Sequence, residues 1–599
     1  MTDFRRTLLW VAFTMSLLML WDKWHVFNGE PSMFSPRPVK AVVAKPGPTV
    51  TAKANPTIPG AAATSAVPAS GAASGAAEDL PIEHVAIQTD VVKATLSTQG
   101  GDLLDLDLLK YQEVDNHSEI WRQAKRIVGW GNSETPPKSN VKVFDTSETQ
   151  FYAAQSGLDG VPGRESLQHG VMKLVSPQRT LADGKNELVL RFESPEVNGV
   201  QLVKTYTFRR GSYAIDVAHE VINHSGAPVS PELDLQLVRD GRVPEGGYLS
   251  GPSSYTGPAI YRDETFHKIA FTDIDKGKAK DSVDSKATTN NGWVAMIQHY
   301  FSSVWILPPG TARSYNVGRF DASVHQLPTY FAAIFTPLGT IAPGASQTVK
   351  ATLFAGPQEE QLLEPLAPGL EQVKDYGVLK IIAQPLFWLL NKLHTLIGNW
   401  GWSIVALVFL LKAAFYGLNA SAYRSMAKVK AVAPRLAEIK ARYKDNMQLQ
   451  QQETMKIYKE EKINPLGGCL PILVQMPIFF ALFTVLTSSA EMRGAPWVLW
   501  IHDLSVMDPY AILPILMTAT SLLQIALQPK PADPMQAKMM WMMPLAFSAA
   551  LFSFPAGLTL YWVTNNTLTI IQQWMINRQI NGPKPPKAAK VTDAKIVKA

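Results

Sequence analysis

Hydrophobic and polar positions follow three different rhythms along this chain. After Arg5 and Arg6 an uncharged apolar run extends from Thr7 to Trp21, closed by Asp22 and Lys23, with Trp24 and Phe27 beyond. A basic flank, an apolar stretch and boundary Trp residues suit a membrane-inserted segment with its N-terminus in the cytoplasm. The run is shorter than the ~20 residues of a comfortable span, so a cleaved signal peptide is the alternative. No small-x-small cleavage site follows directly, and the expectation is an uncleaved signal anchor over residues 1–27. Residues 28–80 lose all rhythm. Pro31 to Ala77 contains no acidic residue and is rich in Pro, Ala, Ser and Gly, which predicts a flexible linker.

From about Glu83 the period becomes two. The pair VQLVKTYTF and YAIDVAHEVIN, joined by Arg209-Arg210-Gly211-Ser212, places Tyr213, Ile215, Val217, His219 and Val221 on one face and reads as a β-hairpin. Similar short runs recur to about Gly356. They predict a large antiparallel β-sandwich over residues 81–357. Its histidines, from His84 to His325, show no metal-ligand spacing, and its acidic residues form no legible pair. A sugar-active site is the functional alternative there; ordinary core and surface residues are the simpler reading.

The third rhythm is helical. Leu379, Ile382, Leu386, Leu390, Leu393 and Ile397 share one face, with Lys380, Gln384, Asn391 and Thr395 opposite. This predicts an amphipathic helix within residues 371–398, lying in the membrane interface and kinked at Pro385. Apolar spans are then expected at Trp400–Ala420, Pro465–Ser488, Tyr510–Gln528, Met539–Phe554 and Leu558–Ile576, forming a five-span core over 400–578. A helical hairpin is expected within the connector 422–464, turning at Asp445-Asn446. The predicted fold is a multi-pass α-helical membrane protein of six spans, with the all-β domain inserted between the first two.

Composition agrees with a membrane protein: hydrophobic residues make up 46% and charged residues 18%, against roughly 25% charged in soluble chains. A single Cys excludes an intramolecular disulfide and a Cys-rich zinc site. Charge supplies the orientation. Ala422–Asn464 carries ten Lys or Arg against five Asp or Glu, whereas Ala490–Tyr510 has Arg493 against Glu491, Asp503 and Asp508. The tail 579–599 is basic. Both termini and the hairpin are therefore placed in the cytoplasm and the β-domain in the periplasm. The hairpin is either a solvated connector or a docking surface for something acidic, such as ribosomal RNA or anionic lipid.

One charge breaks the apolar pattern. Lys412 lies about 15 Å along its helix from Trp402, near the bilayer midplane. A cation there costs roughly 2.5–3.5 kcal/mol, so it faces a wet cavity or a partner unless it snorkels to the headgroups. No Asp or Glu falls inside another expected span, which favours a water-filled groove. Gln475, Thr518, Thr520, Gln524, Thr564, Asn565, Asn566 and Thr567 supply uncharged polar groups to line it, or simply bond helix to helix. Met- and Phe-rich faces, including Met476, Phe479, Phe480, Met539, Met540, Met542, Met543, Phe547 and Phe552, suit lipid contact or an adaptable apolar surface. No phosphate-binding loop, intramembrane acid or protease motif is present in the sequence.

The stretches NPLGGCLPILVQMPIFF (Asn464–Phe480), WIHDLSVMDPYAILPIL (Trp500–Leu516), DPMQAKMM (Asp533–Met540) and FPAGLTLYWVTNN (Phe554–Asn566) resemble the signatures of the YidC/Oxa/Alb membrane protein insertases. The anchor, linker and β-domain resemble the Gram-negative form. The resemblance implies an insertase and chaperone of the inner membrane, not an enzyme, that moves new membrane segments from cytoplasm into lipid without hydrolysing nucleotide. It implies a groove closed towards the periplasm, with Lys412 at the groove cation and Gln475, Gln524, Thr564, Asn565 and Asn566 lining it. Substrate would leave along Met476, Pro477, Phe479, Pro544 and Phe547. Implied partners are nascent membrane proteins, the lipid bilayer, the Sec translocon with its accessory subunits, and ribosomes or targeting factors at the hairpin and tail. The β-domain would resemble a galactose-mutarotase-like sandwich. No cofactor or metal is implied. One departure stands out: the family usually has Arg where this chain has Lys412, so bidentate pairing with a substrate carboxylate is lost while the charge is kept. A transporter whose Lys412 binds a small anion, and an envelope enzyme with a sugar-active β-domain, are the competing readings.

Overall fold

The computed structural model describes residues 81–113, 139–161, 170–242, 255–279, 287–324, 327–443, 446–461, 470–528, 534–552 and 554–581. The expected anchor 1–27, the linker 28–80 and nearly all of the basic tail lie outside these.

The period-two region forms strands β1 (His84–Gln88), β2 (Val92–Ser97), β3 (Leu103–Gln112), β4 (Asn140–Phe144), β5 (Tyr152–Asp159), β6 (Lys173–Leu174), β7 (Glu187–Glu193), β8 (Val200–Arg209), β9 (Ala214–Asn223), β10 (Glu232–Asp240), β11 (Gly257–Arg262), β12 (Thr265–Lys268), β13 (Trp293–Gln298), β14 (Phe301–Ile306), β15 (Ser314–Val324), β16 (Leu327–Pro337) and β17 (Ser346–Pro357). They build two antiparallel sheets. An 8-stranded sheet runs β1-β2-β3-β5-β10-β16-β15 with β4 beside β3, and a 9-stranded sheet runs β12-β11-β13-β14-β17-β9-β8-β7-β6. The hairpin read from the sequence is β8–β9, paired from Val200↔Asn223 to Phe208↔Ile215. Alternate β9 side chains are buried, among them Ile215, Val217, His219 and Val221, because one face packs into the sandwich core.

That core is not wholly apolar. Lys204 is fully buried and donates to the carbonyls of Gly100 and Ser156, both at 2.5 Å, with Asp102 at 3.3 Å. Burial pushes the Lys204 pKa down. His219 lies beside it, Nε2 2.9 Å from Ser156 Oγ. Burial and the Lys204 charge push the His219 pKa from 6.5 to about 3. Between these two pH values the unfolded imidazole binds a proton that the folded one refuses. Stability of the β-domain is therefore expected to fall as pH drops through 6.5 towards about 3, by up to about 1.4 kcal/mol per pH unit. Thermal melts of the full chain against pH check this; His219→Gln should flatten the slope, and an unchanged slope would overturn the assignment.

The helical region comprises α1 (Lys380–Ile397), α2 (Trp400–Ala414), α3 (Tyr416–Arg442), α4 (Met447–Glu460), α5 (Leu470–Ser488), α6 (Ile512–Leu527), α7 (Pro534–Leu551) and α8 (Ala556–Asn581). Helix α1 buries Ala383, Leu386, Phe387 and Leu390 against α2 and α5, yet Ile381, Trp388 and Leu396 are exposed, so it is apolar on more than one side. It ends at Gly398, whose φ of +74° only glycine adopts freely, with its N–H on His394 O at 2.7 Å. Asn399 then caps α2, its side chain accepting from Trp402 N.

The expected span Trp400–Ala420 is not one straight helix. The chain breaks at Phe415, and α2 meets the start of α3 at 62°. No Pro lies there; Gly417 and Asn419 weaken the helix just beyond. Helix α3 then runs on into the first arm of the hairpin, which packs on α4 through Val432 and Ile457. Asn446 caps α4 at the expected turn. Among the described residues no single helix is both long and apolar enough to cross a membrane by itself. The bent pair Trp400–Ala414 and Tyr416–Ser425 reaches that only together, while Val474–Ser488 and Ile512–Leu527 are apolar but shorter. The count of six spans thus stands on the sequence and not on helix length.

Helix α8 is the centre of the bundle, packed against α2, α3 and α6 and touching α5, while α7 sits outside on α6. The close fit near the top of α2 is exacting. A Cβ on Gly401 would lie 2.2 Å from Trp497 Cδ1, whereas one on Gly417 would meet open space. Gly401→Ala is expected to cost about 1–3 kcal/mol through overpacking, and Gly417→Ala to be neutral or stabilising. Melting in detergent separates them; equal midpoints would refute the packing.

Candidate functional site

The polar groups expected inside the bundle gather along α8. Lys412, half-buried in the last turn of α2, donates from Nζ to Thr569 Oγ1 at 2.8 Å. Thr569 in turn donates to Asn565 O at 2.6 Å. One turn further, Asn419 of α3 donates to Gln572 Oε1 at 3.3 Å. Gln475 of α5 reaches Tyr561 OH at 3.5 Å. Tyr561, Asn565, Thr569 and Gln572 recur every three or four residues, so they form one stripe on α8. Among the described residues Lys412 has no carboxylate partner. Its cation rests on a hydroxyl within a stripe of neutral polar groups.

Asn566 belongs to a different face. It is buried and donates to Thr520 Oγ1 at 3.2 Å and Ser521 Oγ at 2.8 Å, bonding α8 to α6. The residue that meets Lys412 is Thr569, with Gln572 one turn on against Asn419. Gln573 similarly donates to Leu527 O on α6. Thr518 and Thr520 turn back onto the carbonyls of Pro514 and Leu516 within α6. Gln524 and Thr564 are half-buried on α6 and α8. The sequence carried a signal for the missed residues: Thr569 and Gln572 stand four and seven positions after Asn565.

The expected apolar exit divides. Met476 and Phe480 are exposed on α5, at 45% and 43%. Phe479 instead turns inward, its ring edge-on to Trp562 at 4.8 Å and beside Tyr561. Pro477 and Pro544 are half-buried within α5 and α7. The side chain of Phe547 lies outside the described set. An exposed apolar face also lies on α7, where Met542 and Met543 are 67% and 72% exposed beside Trp541 and Leu545.

The β-domain is fastened to the bundle at its far end from the hairpin. Arg493, after α5, donates to Gln112 O of β3 at 2.7 Å and lies over the Tyr300 and Phe301 rings. His299 Nε2 donates to Thr487 O at 3.0 Å; burial pushes its pKa down to about 4, so the ring stays neutral. Buried Lys374 pairs with both oxygens of Glu491 at 2.9 Å, and Lys268 with Asp375 at 2.7 Å. Tyr111 donates to Glu359 and Tyr376 to Glu360; burial raises both carboxyls above the usual range. Among the described residues no three His, Cys, Asp or Glu side chains converge as for a metal ion.

Comparison with known proteins covers both halves. The family model described as 60Kd inner membrane protein matches residues 392–584, and that described as YidC periplasmic domain matches 84–123 and 131–389. A membrane protein insertase YidC from Cupriavidus necator is 47% identical over 595 residues, covering 98% of this chain and all of the relative. One from Ralstonia nicotianae is 46% identical over 592 residues, with 98% of this chain and 100% of the relative covered. A crystal structure of an active YidC insertase with its first transmembrane domain resolved matches at 17% identity and a TM-score of 0.37, covering 83% of this chain and 94% of that one. A galactose mutarotase-like protein from Lactobacillus casei matches at 9% identity and a TM-score of 0.27, over 46% of this chain and 100% of that one.

Proposed function

Because this chain belongs to the YidC family, whose matched relatives are named membrane protein insertases, we propose that it moves hydrophobic segments of new proteins from the cytoplasm into the inner membrane along the polar stripe of α8. Like those relatives, it is an inner membrane protein with a periplasmic domain. The finer topology has six spans, with both termini and the α3–α4 hairpin in the cytoplasm. Positive charge on the hairpin and tail supports that orientation.

The observation that carries the mechanism is Lys412, a half-buried cation held by a hydroxyl rather than a carboxylate. Such a group is tolerable in a bilayer only beside water. A wet groove between α2, α5 and α8 shortens the apolar path that a substrate's polar tail must cross. Lys412 attracts acidic residues of that tail, and Thr569 yields the ammonium to them. Burial of the substrate's apolar segment, at about 25 cal/mol per Å², supplies the driving free energy, so no nucleotide is needed. The segment leaves past the exposed faces of α5 and α7, with Met476, Pro477, Phe479, Pro544 and Phe547 nearest the route. The Sec translocon and its accessory subunits meet the β-domain, and ribosomes or targeting factors meet the hairpin and tail.

Reconstitution into protein-free liposomes tests this. Wild type should render a small single-span substrate protease-protected, and deletion of Glu83–Leu353 should leave that activity largely intact. Lys374, Tyr376, Glu360 and Glu491 all lie outside the deleted range, so their mutual bonds survive. Loss of all activity on deletion would favour an envelope enzyme; flux of a small anion without insertion would favour a transporter.

A further inference from the structure

A cleft of about 370 Å³ lies where the β-domain meets the bundle. Its floor is the α1–α2 turn with His394, Asn399 and Trp400; its walls are Lys110 and Glu359 from the β-domain side and Glu491 and Arg493 from the segment after α5. We propose that this cleft holds the headgroup of an amine-bearing, zwitterionic phospholipid such as phosphatidylethanolamine. The proposal rests on the reading that α2 and α5–α8 span a bilayer.

Three observations converge on that ligand. First, the cleft carries both signs of charge within one small space. Exposed Lys110 suits a phosphate, and Arg493, which gives Nη2 to Gln112 O, adds positive charge to the cleft wall. Glu359 suits an ammonium, with Glu491 beside it already neutralised by Lys374. Glu359 accepts from Tyr111 through Oε1 and keeps Oε2 as a further acceptor. Second, apolar residues adjoin the residues of its floor in the chain. Leu396 and Trp402, on either side of its floor, are 84% and 47% exposed, a lane for an acyl chain. Third, Trp400, Trp402 and Trp497 cluster at this level, with Trp402 and Trp497 edge to face at 5.6 Å and Trp400 stacked on His394. Tryptophan gathers at headgroup depth.

The same charges set the selectivity. An anionic glycerol headgroup brings no cation to Glu359 and leaves it facing the lipid phosphate. A choline headgroup has no N–H to donate to it. A primary ammonium satisfies Glu359 Oε2 by a charge-assisted hydrogen bond. A lipid so held would rivet the β-domain to the membrane surface at the root of α2.

The test is native mass spectrometry of the full chain, delipidated in detergent and offered equal amounts of phosphatidylethanolamine, phosphatidylglycerol and phosphatidylcholine. The expected result is retention of one phosphatidylethanolamine in preference to the others. Glu359→Gln and Lys110→Met should each weaken it by roughly tenfold, and Lys392→Met, on α1 outside the cleft lining, should not. Equal retention of the three lipids, or a preference that survives both cleft variants, overturns the proposal. Displacement by soluble glycerophosphoethanolamine at the same concentration would show that the acyl lane contributes nothing and overturn the lipid as source. Flotation with vesicles keeps the two readings apart. A chain that floats but shows no preference disproves the headgroup site alone, and one that does not float disproves the membrane reading beneath it.

Discussion

Replacing Lys412 by Glu is expected to lower insertion of a short, acidic-tailed substrate by on the order of 100-fold, the rate equivalent of about 3 kcal/mol. Two effects add. The attraction for the tail becomes repulsion, and the new carboxylate meets Thr569 Oγ1 and Asn565, a surround that now serves a cation. Lys412→Arg should retain most activity, since it keeps the charge and adds donors. Lys412→Ala should fall between, because the polar stripe from Tyr561 to Gln572 still holds water. Protease protection in liposomes reads all four proteins. Equal insertion by all of them would mean that the groove acts through hydration and local thinning, and that the cation has no part in it.

The second large effect concerns stability and leaves insertion alone. Asp102→Ala strips the buried Lys204 ammonium of its counter-charge and should destabilise the β-domain by about 3–5 kcal/mol. Lys204→Met, which removes the cation and keeps an apolar stem, should cost less. The asymmetry follows from desolvation, since an unpaired buried charge is worse than none. Hydrogen exchange of β8 amides in the full chain measures both. If the two variants lose equal protection, the ion pair is not the term that matters. Because the bundle is expected to insert without this domain, Asp102→Ala should still be active in liposomes at temperatures where its β-domain has opened.

The two-sheet sandwich was legible because half-buried strands alternate: β9 announces its inner face residue by residue. Strand order was not, since β17 pairs with β14 and β9, partners far apart in the chain. The stripe on α8 was half legible. Thr564 to Thr567 form one polar block in sequence, but a helix sorts such a block onto several faces, sending Asn566 to α6 and leaving Thr569 to Lys412. The bend at Phe415 was hidden by an apolar run that continues through it without a Pro. Phe479 reads like a lipid-facing residue in sequence, and only the rings of Tyr561 and Trp562 turn it inward. The junction was invisible. Arg493 and Glu491 enter a sequence argument only as loop charges, because Gln112 and Lys374 lie 381 and 117 positions away.

The place of β17 in its sheet decides how the molecule bears load. The chain enters the β-domain at β1, an edge strand paired along its length with β2 and bridged on its other side only at Gln88, to Thr180, among the described residues, and leaves from β17, clasped between β14 and β9. Tension arriving from the bundle therefore pulls β17 along its length against two ladders at once, which must fail together. Tension arriving from the N-terminal side works against the single β1–β2 ladder and the short bridge at Gln88. Under traction the domain is a firm handle on the bundle and a weaker one on the chain before β1, and it is the N-terminal side that should give way first.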